Sequence, residues 1–415
     1  MSRTAMSRTT LTATALVLSL GLTACGGGDE KQVSADAKQT LTVWAMGEEG
    51  NRVAEIAKTF NKEHPGITVK VTPVGWDVAH QKLVSAAAAD QLPDMAQLGS
   101  TWVGEFIELG ALEPVDTEVF EEKDFFPAAW QGNEKDGEVY GVPWYVDTRV
   151  LYYRTDLAKK AGVQGEPKTW ADQLKLAEGY KKLDSTKWAF SLPAGGDGAW
   201  QNWLPYLFQA GGTLVDKDGR PTLDSPESVK ALTEYAKYFD KGLARGTRPT
   251  PGYDVIKDFG ADKVPMFASG PWMVQNIEDQ VPKVADQYET VPLPSGAKQG
   301  NIIGGASLVT FAGSEHKAAA QEFTKFLTDA KTQAKWYEMA KSLPANQNAW
   351  NEPQLKKADV EDFKASLDAA QAIPPIAKWE EIAHQIDLTL EKLAKGGDPA
   401  KLAAELQKNA ESLVS

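Results

Sequence analysis

In the stretch "MFASGPWMVQN", residues 266–276, a short apolar run ends at Ser269 and the chain turns through Gly270 and Pro271 into Trp272. Pro in the first turn of a helix, preceded by Gly or Ser, makes a strand-to-helix joint. A core tryptophan is more usual in the middle of an element. One at the carboxyl end of a strand, beside a helix N-terminus, stands where open α/β sheets bind ligands. "PVGWDVAH" repeats the arrangement with Trp76 and Asp77, the latter also a candidate helix cap. An indole beside a carboxylate offers a flat apolar face and a two-pronged hydrogen-bond acceptor, which is the chemistry of binding.

Signatures of catalysis are absent from the sequence. The four histidines, His64, His80, His316 and His384, form no HExxH, and no GxSxG elbow or cysteine nucleophile is present. His64 and His80 lie in polar helical contexts and are expected to be solvated. With 57 acids, a suitably spaced carboxylate pair can always be imagined, so acids alone make no case for a secreted hydrolase or lyase. "GGG" after Cys25 lacks a following GK[ST] and is no phosphate loop. A single cysteine excludes an intramolecular disulfide and a cysteine-based metal cluster. The sequence indicates neither a metal nor an organic cofactor.

The elements that must carry these residues alternate between strand and helix. "TLTVWAM", "ITVKVTPV" and "MAQLG" read as strands. "EEGNRVAEIAKTFNKEHPG" and "DVAHQKLVSAAAADQLPD" read as helices, the second stopping around Pro93. This β-α-β-α-β order predicts a sheet with parallel strands and helices on both faces. A second, helix-rich α/β region follows "EVYGVPWYVDTRVLYYRTDLAKKAG", and the C-terminal third reads as mostly helical. About 375 residues exceed what one core usually serves, so two domains are expected.

Ahead of them, a basic start (Arg3, Arg8) and the apolar run Leu11 to Ala24 read as an export signal too short to span a bilayer. Residues 26–39 show no apolar periodicity and read as a flexible tether, reaching roughly 45 Å when extended. Removing Arg3 and Arg8 takes the net charge from −13 to −15, so nucleic acid is an unsuitable partner.

"LTAC", Leu22 to Cys25, resembles the lipobox of bacterial lipoproteins. That resemblance implies a signal peptide over 1–24, cleavage before Cys25, and acylation (palmitate) of its sulfur. The protein would then be anchored by lipid to the outer face of the cell membrane, with residues 25–39 as lipidated cysteine and tether. In the body of the chain, "LTVWAMGEEG", "LPDMAQLGSTWVGEFIELGALEPVD", "YGVPWYVDTRVLYYRTDL", "PKTWADQLKLA", "GGTLVDKDGRPTLDSPESVKAL", "VPMFASGPWMVQNI" and "GGASLVTFAGSEHKAAAQEF" occur in order. Together they resemble family 1 extracellular solute-binding proteins of ATP-driven (ABC) importers, the group containing maltose-binding protein, over nearly all of residues 40–415.

What the resemblance implies is a two-lobed, periplasmic-binding-protein-like α/β fold of type II with three hinge crossings. Lobe 1 would be 40–145 plus 303–343, and lobe 2 would be 149–300 plus 347–415. The crossings would fall near 146–148, 301–304 and 342–346. The implied ligand is a neutral di- or oligosaccharide held between the lobes by a monomer. It would pass to permease subunits served by a separate ATPase, since this chain reads as having neither spans nor a P-loop. A polyol or glycerophosphodiester is the alternative.

Sugar rings have apolar faces and a hydroxyl rim, so aromatic platforms and planar hydrogen-bonding groups are wanted. By position, the implied ligand residues are Glu48 and Glu49 after the first strand, Trp76 and Asp77, and Ser100, Thr101 and Trp102. Tyr145, Asp147 and Arg149 follow, the arginine with a hinge salt bridge as its other reading. Trp200, Gln201, Trp272, Gly304, Gly305 and Trp379 complete the set. Gly304 and Gly305 could admit the ligand to backbone amides or serve the crossing alone. Two acids at 48 and 49 depart from maltose-binding protein's acid and base, so maltose itself does not carry over. Trp44 and Trp203 are expected in the core.

Overall fold

The computed structural model describes residues 38–248, 254–356 and 358–414, the side chains of Glu48, Ala358 and Asp359 aside. The signal segment, Cys25 and most of the tether lie outside the described residues.

The alternation Gln39–Met46, helix Gly47–Glu63, Ile67–Val74, helix Trp76–Ala88, Met95–Gly99 folds as its pattern predicts. Gln39–Met46 pairs in parallel with both Ile67–Val74 and Met95–Gly99. The helix expected to run to Pro93 stops at Ala88, where Asp90 takes a left-handed φ of 54° and turns the chain. Three antiparallel strands extend this into a six-stranded sheet. Gly304–Thr310 lies between Met95–Gly99 and Val142–Asp147, and Leu343–Pro344 forms the edge. Of the segment 301–310, only the first residues belong to the crossing expected near 301–304. The rest is central to the sheet, buried with Leu41, Val43, Phe60 and Met95.

The second lobe has a small antiparallel sheet, ordered Met266–Ser269, Val150–Arg154, Tyr288–Pro292. Its core is mostly helical, with Trp203, Leu207, Leu232, Tyr235, Ile386 and Leu390 interlocked. Ser225 caps helix Pro226–Asp240 through the Ser228 amide at 3.2 Å, as its Ser-Pro-Glu start predicts.

Two crossings run side by side. Strand Val142–Asp147 ends in lobe 1 and Val150–Arg154 begins in lobe 2, while Asn301–Ile302 leads back into Gly304–Thr310. Thr148 Oγ1 donates to Ile302 O at 2.7 Å, and Asn301 Nδ2 donates to Arg149 O at 2.6 Å, stitching the pair.

The third crossing differs from expectation. Residues 345–351 stay with lobe 1: Phe126 N donates to Ala345 O, and the Trp350 ring meets Phe126 edge-on at 5.7 Å. The chain joins lobe 2 only beyond Leu355, where Thr290 Oγ1 donates to Asp362 Oδ2 of helix Ala358–Asp368. Aromatic packing around Phe125–Trp130 holds this segment, and a strand-by-strand reading contains no sign of it.

Candidate functional site

Between the lobes lies a cleft of about 980 Å³, lined from both sides and floored by the paired crossings. Such a volume is at the upper end for small-molecule sites.

On the lobe 1 side, Trp76 and Trp102 meet edge to face, centroids 5.5 Å apart. Each leans on a glycine. A Cβ on Gly47 would lie 2.7 Å from the Trp76 ring, and one on Gly99 would lie 3.2 Å from the Trp102 ring. Asp77 lines the cleft from the first turn of helix Trp76–Ala88, whose N-cap, Gly75, has no side-chain bond. Ser100 and Thr101 also line the cleft and do not cap the next helix, whose N-cap is Trp102. Glu49 faces the cleft beside Tyr145, whose hydroxyl accepts from Gln97 Nε2 at 3.1 Å. Burial first, then the Glu49 and Asp147 charges, hold that phenol well above its ordinary range, so it is a neutral hydrogen-bonding group.

At the hinge, Arg149 is almost fully enclosed. Its Nη1 bonds Asp147 Oδ1 at 3.0 Å, its Nη2 donates to Gln201 Oε1, and its guanidinium lies 5.2 Å from the Trp272 ring centroid. The arginine therefore ties the end of a lobe 1 strand to a lobe 2 helix and to the indole. Gly305 adopts φ +120°, and a Cβ there would lie 2.1 Å from Tyr145 O; one on Gly304 would lie 2.7 Å from Asp147 Oδ1. Both glycines line the cleft and allow the crossings to touch.

Trp272 is 40 % exposed and lines the cleft from lobe 2. Its helix is Trp272–Gln280 with Pro271 as N-cap, one residue later than the sequence predicts. The indole folds back over Gly270, where a Cβ would lie 2.1 Å from the ring. Tyr152 Oη holds Gly270 O at 2.8 Å. The Gly-Pro-Trp joint thus has a steric reason: only glycine leaves room beneath the ring.

Trp200 and Gln201 line the same wall. Trp379 does not. It is 1 % exposed within the lobe 2 core and meets Trp200 edge-on at 5.2 Å, so it supports a cleft residue from beneath. Trp203 is fully buried, as expected, whereas Trp44 is only partly covered, with Lys82 Nζ 4.3 Å above its ring. The Glu48 side chain lies outside the described ones. His80 is not simply solvated: its Nε2 is 2.6 Å from Glu105 Oε2.

Sequence reasoning missed Asp197, Lys341 and Glu380, which also line the cleft. Asp197 stands in the "GGDG" loop, three residues before Trp200. Lys341 ends helix Ala330–Ala340 in a left-handed conformation, and no local pattern marks it. Glu380 follows Trp379, one position from a residue the sequence had marked. Its carboxyl is raised, first by desolvation, against the lowering effect of a Thr101 hydrogen bond that reaches across from lobe 1. Among the described residues no cluster of His, Cys, Asp or Glu could hold a metal ion, and no helix is long and apolar enough to cross a membrane.

Residues 55–365 match the sequence profile described as "Bacterial extracellular solute-binding protein". The sugar-binding protein MalE from the phytopathogen Xanthomonas citri is a structural neighbour. It has TM-score 0.84 and 32 % identity, over 91 % of this chain and 97 % of that one. The GacH receptor of Streptomyces glaucescens, solved unliganded and with acarbose, gives TM-score 0.77 and 29 % identity over 90 % and 98 %. The galactooligosaccharide-binding protein of Bacillus subtilis is 26 % identical over 94 % of this chain and 92 % of its own.

Proposed function

We propose that this chain, which belongs to the bacterial extracellular solute-binding protein family, captures a neutral di- or oligosaccharide between its lobes and delivers it to an ABC permease. The observation that carries this reading is the facing of indoles from both lobes, Trp76 and Trp102 against Trp200 and Trp272, across one cleft. Such rings stack on the apolar faces of sugars, each adding about 0.5–1.5 kcal/mol beyond area burial. Asp77, Asp147, Glu49 and Gln201 supply planar partners for ring hydroxyls, worth about 1.5–3 kcal/mol where charged. A few of each reach micromolar affinity, about −8 kcal/mol, after association costs.

Cleft charge favours an uncharged ligand over a phosphorylated one. Five carboxylates, Glu49, Asp77, Asp147, Asp197 and Glu380, stand against two cations. Of the cations, Arg149 is engaged by Asp147 and Gln201. A glycerophosphodiester would meet this field unfavourably, and a polyol would leave most of the indole surface uncovered. The volume suits several rings better than one.

Lobe closure is driven by contacts the ligand makes only in the closed state. The chain binds and releases without transforming its ligand, works as a monomer, and is held to the outer face of the cell membrane by acylated Cys25.

A thermal-shift screen over mono-, di- and oligosaccharides tests the reading. A ligand at 100 times its Kd adds about 2.7 kcal/mol, a shift of several degrees in Tm. No shift with any saccharide, or reducing ends released during incubation, would overturn it.

A further inference from the structure

We infer that Asp387 is a positioning residue for the lobe 2 wall: its buried carboxylate pins the loop 195–200 and thereby fixes Trp200 and Gln201 in the cleft. The effect on ligand affinity rests on the saccharide reading above; the pinning itself does not.

Asp387 lies on helix Trp379–Ala394, 4 % exposed, and does not line the cleft. Its two oxygens accept from two amides of a distant segment, Gly198 N at 3.0 Å and Trp200 N at 2.8 Å. The loop they belong to has little local order to rely on. Gly195, Gly196 and Gly198 all have positive φ, at 85°, 96° and 81° respectively. Helix Trp200–Ala210 then begins after Ala199, which has no side chain able to cap it. The first amides of a helix need acceptors, and a negative charge there also complements the helix dipole. Asp387 supplies both from another part of the chain.

The loop rests directly on that helix. A Cβ on Gly195 would come within 2.8 Å of both Asp387 O and Glu391 Cβ, so the backbones touch. From this anchored loop Trp200 projects over Trp379, and Gln201 accepts the Arg149 guanidinium that braces Trp272. One buried carboxylate therefore sits behind both lobe 2 indoles.

Its protonation is poised to matter. Desolvation raises the Asp387 carboxyl to about 6, the Trp200 and Gly198 amides pull it down, Asp197 pushes it up and His384 lowers it. Tyr235 faces it from helix Pro226–Asp240, while Glu391 on its own helix is engaged by Arg248 and Lys395. Because the folded value lies above the ordinary 3.8, the stability this group contributes is complete below about 4 and lost as pH rises through about 6. At neutral pH the ionised carboxylate is a cost to the fold, and its return is an ordered loop. Burial and the two amides pull in opposite directions: burial favours the neutral acid, whereas the Trp200 and Gly198 amides favour the carboxylate. Below about 6, therefore, a proton on one oxygen removes an acceptor and loosens the loop while easing the desolvation cost to the rest of the fold.

Hydrogen exchange of the ligand-free full chain, corrected for intrinsic pH effects, reads the pin directly. Protection at Gly198–Gln201 is expected to fall between pH 7.5 and 5, and to be low at both in Asp387→Asn, with helix Trp379–Ala394 unchanged. Affinity for the tightest saccharide of the screen is expected to drop about tenfold over the same range in the native chain and to be low and flat in the variant. Protection at Gly198 and Trp200 that ignores both pH and the substitution overturns the inference. If no saccharide binds, the functional reading fails while exchange still decides the pin. If the variant does not fold, the native pH series decides it alone.

Discussion

The two walls of the cleft are built differently. In lobe 1, Trp76 and Trp102 lie at the ends of parallel strands and support each other, with Gly47 and Gly99 beneath them. In lobe 2, Trp272 is braced by Arg149 from the hinge, and Trp200 stands on Trp379 beside a loop pinned by Asp387. The first wall is assembled from neighbours within one sheet. The second depends on residues brought from the hinge and from the C-terminal helices. A change at the hinge therefore reaches lobe 2's rings before lobe 1's, because Arg149 bonds to both sides of the crossing.

The largest expected effect breaks the lobe 2 wall at its most exposed ring. Trp272→Ala is expected to weaken saccharide binding about 30–100-fold by calorimetry, in the range of a hot-spot residue. Its Tm should barely move, since the ring is 40 % exposed. A loss below threefold would remove Trp272 from the site.

Gly270→Ala should come next, at about tenfold, because the new methyl occupies the place of the indole and must expel it. Fluorescence of the displaced ring checks the cause. In lobe 1, Trp76→Ala and Trp102→Ala should each cost about fivefold, and the double variant less than the product, as the rings support one another. Strict additivity would mean that the two rings act separately. The smallest effect is expected at Gly99→Ala, about twofold, since a Cβ there would lie 3.2 Å from the Trp102 ring where Gly270 leaves only 2.1 Å.

Comparing these residues shows what kind of information a sequence carries. Trp76, Asp77 and Ser100–Trp102 were legible because a strand end and a helix start place them at the mouth of a sheet by local geometry alone. Trp272 was legible for the same reason, although the purpose of Gly270 under it was not. Trp379 was misplaced because a helix start resembles a cleft position until the packing around it is known. Glu380, beside it, went unnoticed because only the approach of Thr101 from the other lobe brings it into the cleft. The third crossing was placed too early because Phe126 and Trp350, far apart in sequence, hold the chain to lobe 1.

By itself the sequence determined the alternation of strands and helices, the acidic balance, and the strand-end tryptophans, all of which depend on neighbours within a few residues. Only the tertiary structure decided which indoles share one space and which lie beneath another. It also decided which cation is already engaged and which buried acid caps a helix it does not belong to. Those facts depend on contacts between segments as much as 189 residues apart, as between Gly198 and Asp387. A linear pattern records side-chain type at such positions but not the partner that gives it a role.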